Sequence, residues 1–310
     1  MMFASARRQT EMHSKFAVGL FVLLVTSSVL PGPFAMAAAP SPRAAVEQAV
    51  VNALPAWHGR RAKIINYLDL TQPFATMSPW TLVVAQDARP PLADLATMGN
   101  ASPIAVCFIK VLAPSCTEAR GHADDSWFDM TNELGVATVV FAGPHQTSPL
   151  LMLQTLSAHG MNGNASIGTK LFQYDRKTDG FRQVFVNVNG GTNNNAETRF
   201  IEHGPLRGDV IVDYPTDDAP YAYWIEVYAP GKSDQYVSIL RYRSITHYGD
   251  GNPLAVTDSE MPEIMKRLGF WKLGDALPIP PAVPRGCRQL VMHHGEEWCK
   301  TVRIPSTPQQ

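Results

Sequence analysis

At 310 residues, with 45% apolar and 17% charged side chains, the chain has the composition of a folded globular protein and not of a disordered one. Its formal net charge is −1 and no basic patch interrupts it, so neither a nucleic acid nor an anionic membrane is expected as a partner.

The N-terminus reads as a targeting segment. Arg7, Arg8 and Lys15 precede an apolar run from Phe16 to Leu30, and Ala35-Met36-Ala37 supplies small residues for a signal peptidase. The apolar run of about 15 residues is short against the roughly 20 needed to span a bilayer, which favours a leader over an anchor. Gln9 and Thr10 follow Arg7-Arg8 where a twin-arginine signal wants apolar residues, so a Sec-type route is expected. On this reading residues 1–37 form a cleavable signal peptide, the mature chain starts near Ala38, and the protein is periplasmic or secreted. No stable membrane insertion is expected after cleavage.

Four cysteines remain, Cys107, Cys116, Cys287 and Cys299. Export places them where disulfides persist, and short loops close most readily, so the expected pairs are Cys107 with Cys116 and Cys287 with Cys299. Neither spacing resembles the CxxC of a zinc site.

Taken in order, the mature chain opens with a helix from Ser41-Pro42, whose stripe is Val46, Val50, Val51 and Leu54, ending at Pro55. A second short helix is expected from Gly59 to Leu68, with Ile64, Ile65 and Leu68 as its buried side. From Trp80 the pattern turns to β. Strands are expected at Trp80–Ala85, Ile104–Leu112, Val136–Ala142 and Leu150–Leu156, separated by Pro-rich, polar and Gly/Asn-rich loops. Two hairpins follow, Lys170–Val188 turning on Asp179-Gly180 and Tyr223–Tyr242 turning over Ala229–Asp234, each preceded by another strand. The shared layout repeats at an offset of roughly 55 to 60 residues, with Trp80–Phe128 as a degenerate copy.

The strand Tyr236–Ile245 carries Arg241 and Arg243 on one face and Tyr242 on the other, and ends in the loop Gly249-Asp250-Gly251-Asn252-Pro253. A short helix near 261–268 comes next, with Asp258 or Ser259 near its start and Gly269 at its end. Residues 277–284 form a proline-rich tether, and Cys287–Ile304 a disulfide-closed hairpin turning at His294-Gly295. The expected fold is therefore mainly β, an antiparallel meander of repeated hairpins, propeller-like or forming a barrel or sandwich. Its expected parts are a β-rich domain over 38–276 and a tether with hairpin over 277–310.

Two polar spans can carry chemistry. Asn193, Asn194, Asn195, Glu197, Arg199, Glu202, His203 and Arg207 combine amides, charges and glycines of the kind that orient small polar ligands such as sugars or peptides. Asp250, Asn252, Asp258 and Glu260 offer hard oxygens for calcium, although Pro253 breaks the EF-hand spacing and an Asx-turn followed by a helix cap accounts for the same residues. No other cofactor is implied.

For hydrolysis the available groups are the carboxylates Asp209, Asp213, Asp250 and Glu260 with His203 and His247, and the expected pairing is Asp250 or Glu260 with His247 or His203, which depends on distances a sequence does not contain. There is no GxSxG elbow. His293-His294 with Glu296-Glu297, and His122 with Asp124 and Asp125, read as loop polarity. The chain is thus expected to be an exported binding or interaction protein of the cell envelope, taking a small polar ligand or another envelope protein. An extracytoplasmic hydrolase and a purely structural role are the alternatives.

Overall fold

The computed structural model describes residues 42–53, 62–87, 104–118, 131–141, 148–157, 165–190, 195–247, 249–281 and 283–301. The leader 1–37, Ser41, Leu54, the insert with His122, Asp124 and Asp125, and Asn193 and Asn194 lie outside these. Helix α1 is Pro42–Ala53. The first sheet takes β1 (Ala62–Asp69), β2 (Trp80–Asp87), β3 (Ile104–Lys110) and β4 (Cys116–Glu118), with the short α2 (Thr71–Phe74) between β1 and β2. The second takes β5 (Thr131–Phe141), β6 (Pro149–Ser157), β7 (Ser166–Asp175) and β8 (Gly180–Gly190), and the third β9 (Glu197–Phe200), β10 (Val210–Pro215), β11 (Ala222–Pro230) and β12 (Tyr236–His247). Helix α3 (Val256–Arg267) and a hairpin of β13 (Cys287–His293) and β14 (Glu296–Thr301) follow.

Strand order inside each sheet is sequence order, and the pairing is antiparallel throughout. Three successive four-stranded meanders result, and none of the described strands closes a sheet into a barrel.

The meanders are layered because their strands are apolar on both faces. Successive side chains of a strand point to opposite sides, and here each side has its own partner. Val83 and Ala85 of β2 meet Val46 and Val50 of α1, while Trp80 and Leu82 meet Leu151, Leu153 and Phe172 of the second sheet. Leu150 and Leu171 look the other way, to Val210 and Val212 of the third sheet. Ile211, between those two valines, faces Val256, Ile264 and Met265 of α3. Four hydrophobic clusters therefore fill the gaps between five layers, α1, three sheets and α3.

Polar side chains fasten the layers. Asp179, at φ 46° in the β7–β8 turn, accepts from Ser78 Oγ (2.6 Å), Trp80 Nε1 (3.0 Å) and Tyr174 OH (2.7 Å) and pairs with Lys110 (2.5 Å), joining the first and second sheets. Gln154 Nε2 donates to the Thr198 carbonyl (3.1 Å), and Asn189 Nδ2 to the Glu197 carbonyl (2.7 Å) and Thr198 Oγ1 (3.1 Å), joining the second and third.

Two helix expectations are corrected. Residues 62–69 form β1, not a helix over Gly59–Leu68: Ile64, Ile65 and Leu68 suit a helical stripe, but alternate burial and pairing with β2 decide for a strand. Helix α3 starts at Val256, not near Met261, and its N-cap is Ala255, without a side-chain cap. Pro262 looks like a first-turn residue. It lies instead in the interior of a helix buried from Val256 to Met265, where packing outweighs its missing donor. The end at Gly269, φ 77°, is as expected.

Both disulfides form as expected, Cys107 with Cys116 and Cys287 with Cys299, at Cα separations of 5.1 and 5.5 Å. The C-terminal hairpin turns at His294 (φ 51°) and Gly295 (φ 99°), and it packs on α3. Among the described residues no helix is long and apolar enough to cross a membrane.

Candidate functional site

The third sheet has two polar regions, one on each face. Strand parity assigns them. Glu197, Arg199, Asp213, Tyr242, Ser244 and Thr246 share the α3 face, whereas Thr198, Tyr214, Trp224, Glu226 and Arg241 share the face toward the second sheet.

On the α3 face the groups bond one another. Arg199 spans Asp258 with Nη1 to Oδ1 at 2.5 Å and Nη2 to Oδ2 at 3.3 Å, and reaches Glu197 at 2.8 Å. Asp213, fully buried, accepts the Glu197 amide (2.9 Å) and the Thr257 hydroxyl (2.8 Å). Burial first, and the Glu197 charge second, push its carboxyl up to about 8. Glu260, also fully buried, accepts the amides of Ile245 (2.9 Å) and Thr246 (2.7 Å) and the Tyr242 hydroxyl (2.9 Å). It occupies the place of a neighbouring strand's carbonyls beside the edge strand β12.

Asp250 makes an Asx-turn, accepting from His247 N (3.2 Å) and Asn252 N (2.8 Å). Asn252 binds Leu254 N, Ser259, Cys299 N and the Glu297 carbonyl, which pins the C-terminal hairpin to the loop before α3.

These contacts place the residues singled out in the sequence. Arg199, itself paired with Glu197, meets Asp258, so the two polar spans converge there. The oxygens of Asp250, Asn252, Asp258 and Glu260 turn to four different sets of partners, and among the described residues no three or more His, Cys, Asp or Glu side chains are grouped to hold a metal ion. His203, Arg207 and His247 are exposed, and neither histidine contacts a described carboxylate through its ring. Asn195 opens the approach to β9 at φ 57°.

The other face opens into a cleft of about 430 Å³. Its walls are Asn187, Val188, Asn189 and Gly190 of β8 against Tyr214, Pro215, Asp217 and Glu226 of the third sheet. Tyr214 donates to Glu226 Oε1 (2.8 Å), Tyr228 donates to Glu226 Oε2, and Arg241 Nε lies 3.1 Å from Oε1 while its guanidinium covers the Trp224 ring at 4.8 Å. Burial, then hydrogen bonding to Glu226, raises both phenols above their ordinary range.

Glu226 thereby holds Tyr214, Tyr228 and Arg241 in place. Asn187 Nδ2 is spent on Asn189 and Thr198 (2.9 Å each), which leaves its side-chain oxygen and the exposed Asp217 carboxylate as acceptors without a described partner.

Sequence reasoning missed these residues because each looks like an ordinary strand position. The one available signal was Asn187 and Asn189 alternating in an apolar strand just before the Asn-rich span. Fold and site together define a layered antiparallel β protein with a polar inter-sheet cleft. Compared with protein-family models, curated proteins and solved structures, the chain finds no match in any of the three.

Proposed function

We propose that this chain is an exported binding protein that holds a small polar, hydrogen-bond-donating ligand in the cleft between the second and third sheets. The observation that carries the reading is the composition of the cleft: two amides, a fixed tyrosine and two carboxylates, with no basic side chain among the eight lining residues. Such a lining accepts hydrogen bonds, which suits hydroxyl- or amine-bearing molecules such as sugars, amino sugars or short peptides and opposes anions. Glu197 and Arg199 serve the docking of α3, so the ligand contacts pass to Asn187, Tyr214 and Asp217.

Export is supported by the leader pattern of residues 1–37 and by two disulfides, which persist outside the reducing cytosol. N-terminal sequencing of the protein recovered from the cell envelope checks this, with a start near Ala38 expected. For the ligand, thermal-shift screening of neutral sugars, amino sugars, amines, peptides and carboxylates is followed by calorimetry on Asn187→Ala and Tyr214→Phe. A ligand using the cleft loses roughly five- to tenfold in affinity when one neutral hydrogen bond goes. A ligand bound equally by wild type and both variants places binding elsewhere.

A further inference from the structure

The C-terminal hairpin is docked through acids. Glu296, the first residue of β14, is 4% exposed, and its Oε2 lies 2.8 Å from Thr246 Oγ1 and 3.4 Å from Ser259 Oγ. The same Thr246 hydroxyl stands 2.8 Å from Glu260 Oε1.

A threonine hydroxyl has one proton to give. Glu260 already accepts from two amides and a phenol. The Ser259 hydroxyl has the Glu297 carbonyl at 3.0 Å as its acceptor. Whenever Thr246 serves Glu260, the long 3.4 Å contact from Ser259 Oγ is what remains to Glu296, and a proton carried by Glu296 and given to Thr246 Oγ1 restores the short 2.8 Å contact.

The charges around it agree. Glu260 faces it from α3, with Asp258 farther toward the helix start, and Asp250 from the loop before α3. On the β12 side stand Thr246 and the exposed His247, and on its own hairpin His293, its register partner, and Glu297. The nearby cation Arg199 is already committed to Asp258 and Glu197.

We infer that the β13–β14 hairpin is a pH-dependent clasp, closed on α3 and β12 while Glu296 is protonated and opened when it ionises beside Glu260 and Asp250. The disulfide keeps the hairpin intact and the proline-rich 277–284 segment keeps it attached, so opening uncovers α3 without losing the cap. Burial, with the charges of Glu260 and Asp250, holds Glu296 above the ordinary glutamate range despite the opposing hydroxyl contacts. The sign follows. An acid that keeps its proton longer in the closed form favours closure below its ordinary pKa, and that advantage is lost as pH rises to the raised value, by at most tenfold per pH unit.

Hydrogen exchange on the full, oxidised chain between about pH 4.5 and pH 8, corrected for intrinsic exchange rates, tests the clasp. Protection at Trp298, Cys299 and the α3 amides falls several-fold or more with rising pH, while β6 and β7 keep theirs. Glu296→Gln, which retains a donor at every pH, flattens the fall. Asp250→Asn, which removes one facing charge and keeps the Asn252 N contact of the Asx-turn, shrinks it. Constant protection in the wild type, an unchanged slope in either variant, or an equal loss in β6 and β7 overturns the inference.

Discussion

Arg199 is the residue on which the α3 face depends. Removing it leaves Asp258 and Glu197 facing one another across a mostly buried space, and Arg199→Ala is expected to cost about 2–4 kcal/mol, below the full range for a buried pair because the guanidinium is partly exposed. Urea denaturation gives the number. Asp213 sets a pH dependence of the opposite sense to ordinary acid unfolding. Its folded-state pKa is raised to about 8, so its contribution is intact below the ordinary aspartate range and is lost as pH climbs toward 8. Asp213→Asn lessens the fall in stability over that window, as melting curves at pH steps across it will show. The pairing of Arg199 with Asp258 was half visible in the sequence. Both side chains stood out as polar, but 59 positions separate them and only the stacking of α3 on the third sheet makes them partners.

The elements read most easily were those closed by local chemistry. Asp179-Gly180 and His294-Gly295 announce their hairpins through left-handed turn residues, and cysteines 9 and 12 positions apart find each other with little loop entropy. β1 was misread because its pairing with β2 is settled across α2, beyond any local period. Asp179 then does at element scale what no turn signal foretold, fastening the first sheet to the second. Burial opposes its ionisation, but hydrogen bonds from Lys110, Ser78, Tyr174 and Trp80 outweigh it and hold the carboxyl far below the usual range. The stability this supplies is present above the ordinary aspartate pKa and is lost as pH falls below it. Asp179→Asn tolerates the same left-handed backbone and removes the charge together with one acceptor oxygen. A loss of about 1–3 kcal/mol at neutral pH, shrinking in acid, is expected from denaturation at the two pH values.

In the molecule as a whole, the second sheet is covered by apolar neighbours on both faces and the outer layers on fewer. Leu151→Ala opens a cavity toward the first sheet and Leu150→Ala one toward the third, each at about 2–5 kcal/mol. Native-state exchange is expected to rank β6 and β7 last to open, and α1 and the C-terminal hairpin first. Inverting that order would mean that the layers do not share one cooperative core. The layering itself was only partly legible. Repeated hairpins pointed to meanders, and the near-continuous apolar runs of β2 and β6 are what two covered faces require. Which layer each parity would meet was decided by the stacking.

A sheet with one wet face rejects a one-residue slip at once, since its oily side would turn to water. The middle sheet has lost that safeguard: slipped by one, β6 would still show leucines to both neighbours. Its alignment must be enforced by the few positions where the faces differ, with Gln154 able to meet Thr198 only on one side and Asn189 bound to β9 and β10 on one side alone. The amides along this seam therefore act as a key that distinguishes the native alignment from near copies of similar oiliness. Replacing Gln154 and Asn189 together by leucine would preserve burial and remove the distinction between the two faces.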